Sequence, residues 1–278
     1  MPIIGLNDVD LWYEAAGSGE PLVLIPGFAS GAWSWTWQTE ELSRDFQVIT
    51  FDPRGVSRSR LQNGAAVSIR AIADDVAELL DHLGIGAAHI LGISFGGFVV
   101  QEFALSHPDR LKTLVLASTS FGGPNHVAPS MEVLAAFTSV EGLNSAERIR
   151  HYFGTAFSAD FAAREAKTVD RFCRLREENE VPRDVYLQQL QSAMAFNAEE
   201  RLAAMTAAAL VITGDDDAVV PPQNSKNLVD RLPNALLETI HGGGHLAFVE
   251  KAGEFNSRVT AFLGGAKRSP AHARRNPS

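Results

Sequence analysis

One serine in this chain stands where it could act as a nucleophile. The apolar run Ala88–Ile93 leads directly into Gly92-Ile93-Ser94-Phe95-Gly96-Gly97, and a helical pattern follows over 95–106. This is G-x-S-x-G in a strand–turn–helix setting. A serine on so sharp a turn projects its hydroxyl above the sheet, and small flanking residues leave room for the neighbouring strand and helix. The plainer reading of the same residues is a Gly-rich turn. A serine hydroxyl is a poor nucleophile at neutral pH. A base must take its proton, and an acid must hold that base in one tautomer. Of eight histidines, His245 closes Gly242-Gly243-Gly244-His245, between the final apolar run and the final helical pattern. His241, at the strand end, is its nearest rival. His82, His89, His107, His126, His151 and His272 fall on helices, strand starts, a helical stretch or the tail, where a satisfied or solvated histidine is expected. Carboxylates cluster at Asp215-Asp216-Asp217, beyond another apolar run. Three solvated aspartates on a turn is the plainer reading there.

The surrounding elements must bring these residues together. Residues 2–6 and 9–15 read as a hairpin across Asn7-Asp8. Short apolar runs at 21–25, 47–51, 88–93, 112–117, 208–213 and 235–240 read as strands covered on both faces. Helical patterns lie between them at 33–43, 68–83, 95–106, 222–232 and 250–263. In the second, Ile69, Ile72, Ala73, Val76, Leu79, Leu80 and Leu83 recur at helical spacing behind Ser68 as N-cap. Strands alternating with helices predict a parallel, doubly wound α/β sheet. The alternation stops over 124–206, where helices are expected at 129–140, 145–157, 158–180 and 182–196. That stretch predicts an all-helical cap, or lid, set between two core segments, 1–123 and 207–264. Residues 265–278 read as a disordered basic tail carrying Lys267, Arg268, Arg274 and Arg275.

Composition narrows the function. The 278 residues carry 24 Lys+Arg and 33 Asp+Glu, a formal net charge of −9, with 45% hydrophobic residues. That is too apolar for a disordered chain and too acidic for a nucleic-acid binder. No stretch approaches the roughly 18 apolar residues of a membrane span. The opening residues lack the basic and apolar regions of a signal peptide, so a cytoplasmic location is expected. A single cysteine, Cys173, excludes an intrachain disulfide framework. There is no CxxC, HExxH or phosphate-binding loop, and neither a metal nor an organic cofactor is expected.

From residue 2 to about 265 the chain resembles the α/β-hydrolase superfamily. The resemblance implies a mostly parallel eight-stranded sheet, a helical cap after the sixth strand, and a Ser–acid–His triad in that chain order. It places the base at His245. Gly214-Asp215-Asp216-Asp217-Ala218-Val219-Val220-Pro221 is similar to the superfamily's G-x-x-D-x-x-x-P, which selects Asp217 over Asp216 and leaves Asp215 to brace the turn. The loop Ser118–Gly123, an alternative site for the acid in some members, has no carboxylate. Backbone donors for a developing oxyanion are expected from Phe95 and from Phe28, in Pro26-Gly27-Phe28-Ala29, where the superfamily more often has His-Gly. Asp52-Pro53-Arg54-Gly55-Val56-Ser57-Arg58-Ser59 resembles D-x-R-G-x-G-x-S, with Ser57 for the usual Gly, and reads as a structural loop braced by Arg54.

For the pocket, Trp33, Trp37, Phe137, Phe153, Phe157 and Met194 are the candidates, although tryptophans and aromatics at helical spacing also fit simple packing. The charges of 164–178, Arg176 among them, read as a solvated helix face, with Cys173 inert in their midst. The expected function is a serine hydrolase of small apolar carboxylic esters or lactones. Carboxylesterases and enol-lactonases are the nearest in style. C–C bond hydrolases of ring-cleavage products and cofactor-free perhydrolases or haloperoxidases share the triad. A non-catalytic small-molecule binding module is the reading from another class.

Overall fold

The computed structural model describes residues 2–62, 64–138 and 144–266. The chain opens with a hairpin, β1 (Ile3–Gly5) and β2 (Val9–Ala16), followed by β3 (Glu20–Ile25), a 3-10 turn at Ala32–Trp35, α1 (Thr36–Leu42), β4 (Phe46–Phe51) and the two-residue β5 (Arg60–Leu61). Next come α2 (Ile69–His82), β6 (Ala88–Ile93), α3 (Phe95–Ser106) and β7 (Leu111–Ala117). Five helices follow: α4 (Met131–Thr138), α5 (Ser145–Ala156), α6 (Ala159–Arg164), α7 (Ala166–Glu178) and α8 (Arg183–Ala195). The chain then returns to the sheet with β8 (Ala208–Gly214), α9 (Gln223–Val229), β9 (Ala235–Ile240), α10 (Ala247–Glu250) and α11 (Ala252–Ala266).

The strands form one sheet in the order β1-β2-β4-β3-β6-β7-β8-β9, with β5 added on β2. β1, β2 and β4 pair antiparallel in turn, and every neighbour from β4 to β9 is parallel. The expected mostly parallel sheet is what the chain builds, but with nine strands rather than eight, because the two-residue β5 adds to β2. Its central strands are apolar throughout because two layers cover them. α2 and α3 pack on one face with Val23, Ile49, Ile90, Leu114 and Val211. The other layer joins Leu24, Leu91, Val115 and Ile212 to α11 through Phe255 and Val259.

Several local readings shift. Ser68 caps α2 as expected, its Oγ accepting the Ala71 N–H at 3.1 Å. The N-cap of α5 is Asn144: its side chain accepts from the Glu147 N–H while Glu147 accepts from the Asn144 N–H, a capping box. The continuous helix expected over 158–180 breaks at Glu165 (φ −117°, ψ 39°) into α6 and α7. Pro182 is the N-cap of α8, not its first helical residue. Residues 139–143, which include the last two of the span expected as the first cap helix, and 267–278, nearly all of the expected tail, lie outside the described residues. Arg54 braces its loop as expected: its guanidinium donates to both Asp75 oxygens at 2.8 and 2.5 Å and lies 3.0 Å from Asp8. Burial pushes the Asp75 carboxyl up to about 6 even against that partner.

Candidate active site

The turn after β6 explains its own glycines. Ser94 has φ 54° and ψ −117°, a left-handed conformation that non-glycine residues seldom adopt. A Cβ on Gly92 would stand 2.3 Å from the Gly96 carbonyl oxygen, and one on Gly96 2.3 Å from the Ile25 carbonyl oxygen. The strand, turn and helix fit only because both side chains are absent. The Ser94 backbone is held by its N–H to the Ala117 carbonyl (2.9 Å) and by the Thr119 hydroxyl to its carbonyl (2.8 Å).

Two strands away, the loops after β8 and β9 are stitched together. Asp216 N–H donates to the Gly243 carbonyl (3.0 Å) and Asp215 N–H to the Ile240 carbonyl (3.2 Å). Asp217 is buried at 4% exposure, and its Oδ1 accepts the N–H groups of Val219 (2.9 Å) and Val220 (2.7 Å). His245, also 4% exposed, sets Nδ1 2.9 Å from Asp217 Oδ2 and 3.2 Å from Oδ1. An ionised carboxylate only accepts, so Nδ1 carries the proton and Nε2 is left as the ring's acceptor. Asp216 is exposed. Asp215 instead pairs with His241, Nδ1 to Oδ2 at 2.8 Å, and also accepts the Gly242 N–H at 2.6 Å, which braces the turn. The His241 hydrogen bond holds the Asp215 carboxyl below its ordinary value of 3.8.

Ser94 and His245 line one cavity of about 30 Å³, together with Gly27, Phe28, Tyr152, Phe153, Phe172 and Phe248. That is room for about one water molecule. Phe95 opens α3 beside it. Phe28 turns its ring edge to Phe95 (6.1 Å) and to Tyr186 of α8 (4.7 Å). Its N–H has no hydrogen-bond partner among the described residues. The next residue, Ala29, has φ 50° and donates its N–H to Gln189 Oε1 of α8 at 2.9 Å.

The pocket candidates separate. Phe153 lines the cavity. Trp33, Trp37 and Phe157 stand behind it, packed on Phe172 at ring separations of 5.1, 6.0 and 5.7 Å. Phe172 is the ring that lines the cavity, and these three pack against it without lining it themselves. Met194 is 80% exposed on the outer side of α8, near Leu187 and Leu190, so it does not belong to this cavity. Phe137 falls on α4, but its side chain lies outside those described. Arg176 departs from a solvated face: it is only partly exposed, desolvation lowers its pKa, and Nη1 donates to the Asn179 carbonyl at 2.9 Å. No carboxylate pairs with it among the described residues. Cys173 is buried, and burial pushes its thiol up to about 11, which suits an inert packing role. Tyr152, Gln189 and Glu250 escaped sequence reasoning; no spacing marks them, and only the packed chain brings them to the site. Among the described residues no cluster of three His, Cys, Asp or Glu could hold a metal ion, and no helix is long and apolar enough to cross a membrane.

A sheet carrying a strained serine beside a buried Asp–His pair at the carboxyl ends of its strands defines the class. The chain belongs to the alpha/beta hydrolase fold family, which matches residues 20–252. A Caulobacter vibrioides protein provisionally named carbamate hydrolase RutD is 31% identical over 266 residues, covering 92% of this chain and 96% of its own. A Dechloromonas aromatica protein named 2-hydroxy-6-oxononadienedioate/2-hydroxy-6-oxononatrienedioate hydrolase 1 is 30% identical over 269 residues, covering 92% of this chain and 91% of its own. The solved structure of a malate-bound thermophilic esterase from Thermogutta terrifontis superposes with a TM-score of 0.80 at 25% identity, covering 93% and 94% of the two chains.

Proposed function

We propose that the protein is a serine hydrolase that cleaves a carboxylic ester or lactone through an acyl-enzyme on Ser94. The observation that carries this reading is the buried Asp217–His245 pair on the cavity that Ser94 also lines. His245 Nε2 takes the Ser94 proton as Oγ attacks the substrate carbonyl. The N–H groups of Phe28 and Phe95 meet the negative charge on the carbonyl oxygen, where losing one such donor costs about 3 kcal/mol. His245 then protonates the leaving alcohol, and water enters by the same route to release the acid. Asp217, fixed by two backbone N–H groups, holds the imidazole and stabilises its charged form. The reaction calls for no cofactor.

The helices between β7 and β8 act as a cap over this cavity. At about 30 Å³ it is far smaller than the 300 Å³ or more of ordinary ligand pockets, and α5 and α7, whose Tyr152, Phe153 and Phe172 line it, are the elements whose shift would admit substrate. A panel of p-nitrophenyl esters of rising chain length, an enol lactone and an aryl carbamate tests the substrate class. The carbamate belongs there because its carbonyl presents the same electrophile and a relative carries that name. Turnover of esters, with a fluorophosphonate adduct on Ser94, is the expected result; a folded protein that takes no adduct is a binding module instead.

Arg176 favours a second reading, in which the substrate also bears a carboxylate. It sits one helical turn beyond the cavity residue Phe172 and near the phenol groups of Tyr152 and Tyr186, the first of which lines the cavity. A C–C bond hydrolase acting on a dienoate diacid would use such a group. Faster turnover of a dicarboxylate half-ester than of its neutral diester supports it.

A further inference from the structure

Glu250 is a buried acid that the proposed chemistry does not use. It ends α10, is 8% exposed, and has no Lys, Arg or His within ion-pair distance among the described residues. A buried carboxyl group is costly unless donors surround it. Here three do. Oε1 accepts the N–H of Gly244 at 3.1 Å and the N–H of Ser158 at 3.0 Å, and Oε2 accepts the Ser158 hydroxyl at 2.6 Å.

The origin of these donors gives the arrangement its meaning. Gly244 immediately precedes His245. Ser158 is the N-cap of α6, at the junction with α5. A further bond runs alongside, from the Leu246 N–H to the Ala156 carbonyl at 3.1 Å. The two segments are so close that a Cβ on Gly244 would stand 2.5 Å from the Ser158 nitrogen and 2.7 Å from Glu250 Oε1. The residue that carries the imidazole is thus flanked by two backbone bonds, one to Glu250 and one to α5. Asp217 orients the ring, but nothing in that pair fixes where the loop places it.

We propose that Glu250 is a positioning residue for His245, and that Ser158 makes the helical insertion part of that support. The inference rests on the serine-hydrolase reading. Removing the carboxyl leaves three buried donors without an acceptor and frees the loop to shift. A displacement of about 1 Å at a catalytic group can cost about 100-fold in rate.

The test uses the full chain with p-nitrophenyl butyrate as substrate and a fluorophosphonate probe to count reactive sites. Glu250→Ala is expected to lower kcat per labelled site about 100-fold while KM stays nearly constant. Glu250→Gln keeps an acceptor for both N–H groups and should recover most of that loss. Ser158→Ala should lower kcat by a smaller factor, and the Ser158→Ala/Glu250→Ala pair should be no slower than Glu250→Ala alone. Should Glu250→Ala fail to fold, Ser158→Ala and Glu250→Gln carry the same comparison. A wild-type kcat per labelled site in Glu250→Ala, or in Ser158→Ala when that variant alone is folded, overturns the inference, as does a Gln variant as slow as the Ala variant. A wild-type protein that takes no label overturns the serine reading instead, so the two failures are distinct.

Discussion

Two Asp–His pairs share the same two loops, their aspartates two residues apart and their histidines four, and only one is buried. Asp215–His241 and Asp217–His245 have nearly equal hydrogen bonds, 2.8 and 2.9 Å. Their side chains differ in setting: His241 is 84% exposed and Asp215 40%, against 4% for His245 and none for Asp217. Water competes for the outer pair and screens it, so its worth is small. The inner pair is dry, anchored by the Val219 and Val220 N–H groups, and borders the Ser94 cavity. An imidazole next to a carboxylate is therefore not a catalytic base by composition. What sets the inner pair apart is burial and a cavity shared with Ser94.

The first way to break this contrast is at the nucleophile. Ser94→Ala should abolish ester turnover, a loss of about 10⁴-fold or more, with a melting temperature within a few degrees of wild type. Normal turnover by that variant would refute the assignment. Next, Asp217→Asn and His245→Ala should each slow turnover by orders of magnitude, while Asp215→Asn, Asp216→Asn and His241→Ala stay within about twofold. Steady-state kinetics on the five variants decides it, and a reversed ranking moves the chemistry to the outer pair. A smaller effect is expected at Gln189→Leu, which leaves the buried Ala29 N–H, next to Phe28, unpaired. A loss of about 1–3 kcal/mol should appear, in stability by denaturant titration or in kcat. The smallest concerns the outer pair itself. Its hydrogen bond lowers the Asp215 pKa below 3.8, so the stability it adds is present above that pH and disappears as pH falls through the lowered value. The gap between wild type and Asp215→Asn should be slight at pH 7 and vanish at strongly acidic pH; a gap that grows on acidification contradicts the pairing.

Much of the sheet was legible because it is written in short-range terms. The apolar runs coincide with β3, β4, β6, β7, β8 and β9, and α3 runs Phe95–Ser106 as its pattern implied. The elbow was legible for the same reason, since close backbone approach demands Gly92 and Gly96 whatever else surrounds them. The helices of the insertion were harder. The pattern gave no sign of the break at Glu165, because Phe161 and Ala162 of α6 and Phe172 and Cys173 of α7 pack into the same apolar cluster on either side of it. Met194 and Phe153 carried equal signals as pocket residues, yet one faces solvent and the other the cavity. Arg176 had the pattern of a surface charge and lost much of its water to packing.

By itself the amino-acid order determined which residue types could meet and on which kind of turn each would lie, because strand patterning, glycine sterics and helix capping act within a few residues. Tertiary structure alone decided which of two Asp–His pairs was dry, which aromatic rings faced the serine, and that Glu250 and Gln189 would reach loops far from them in the chain. Those outcomes depend on desolvation and on hydrogen bonds between segments up to 160 residues apart, and no local pattern encodes either.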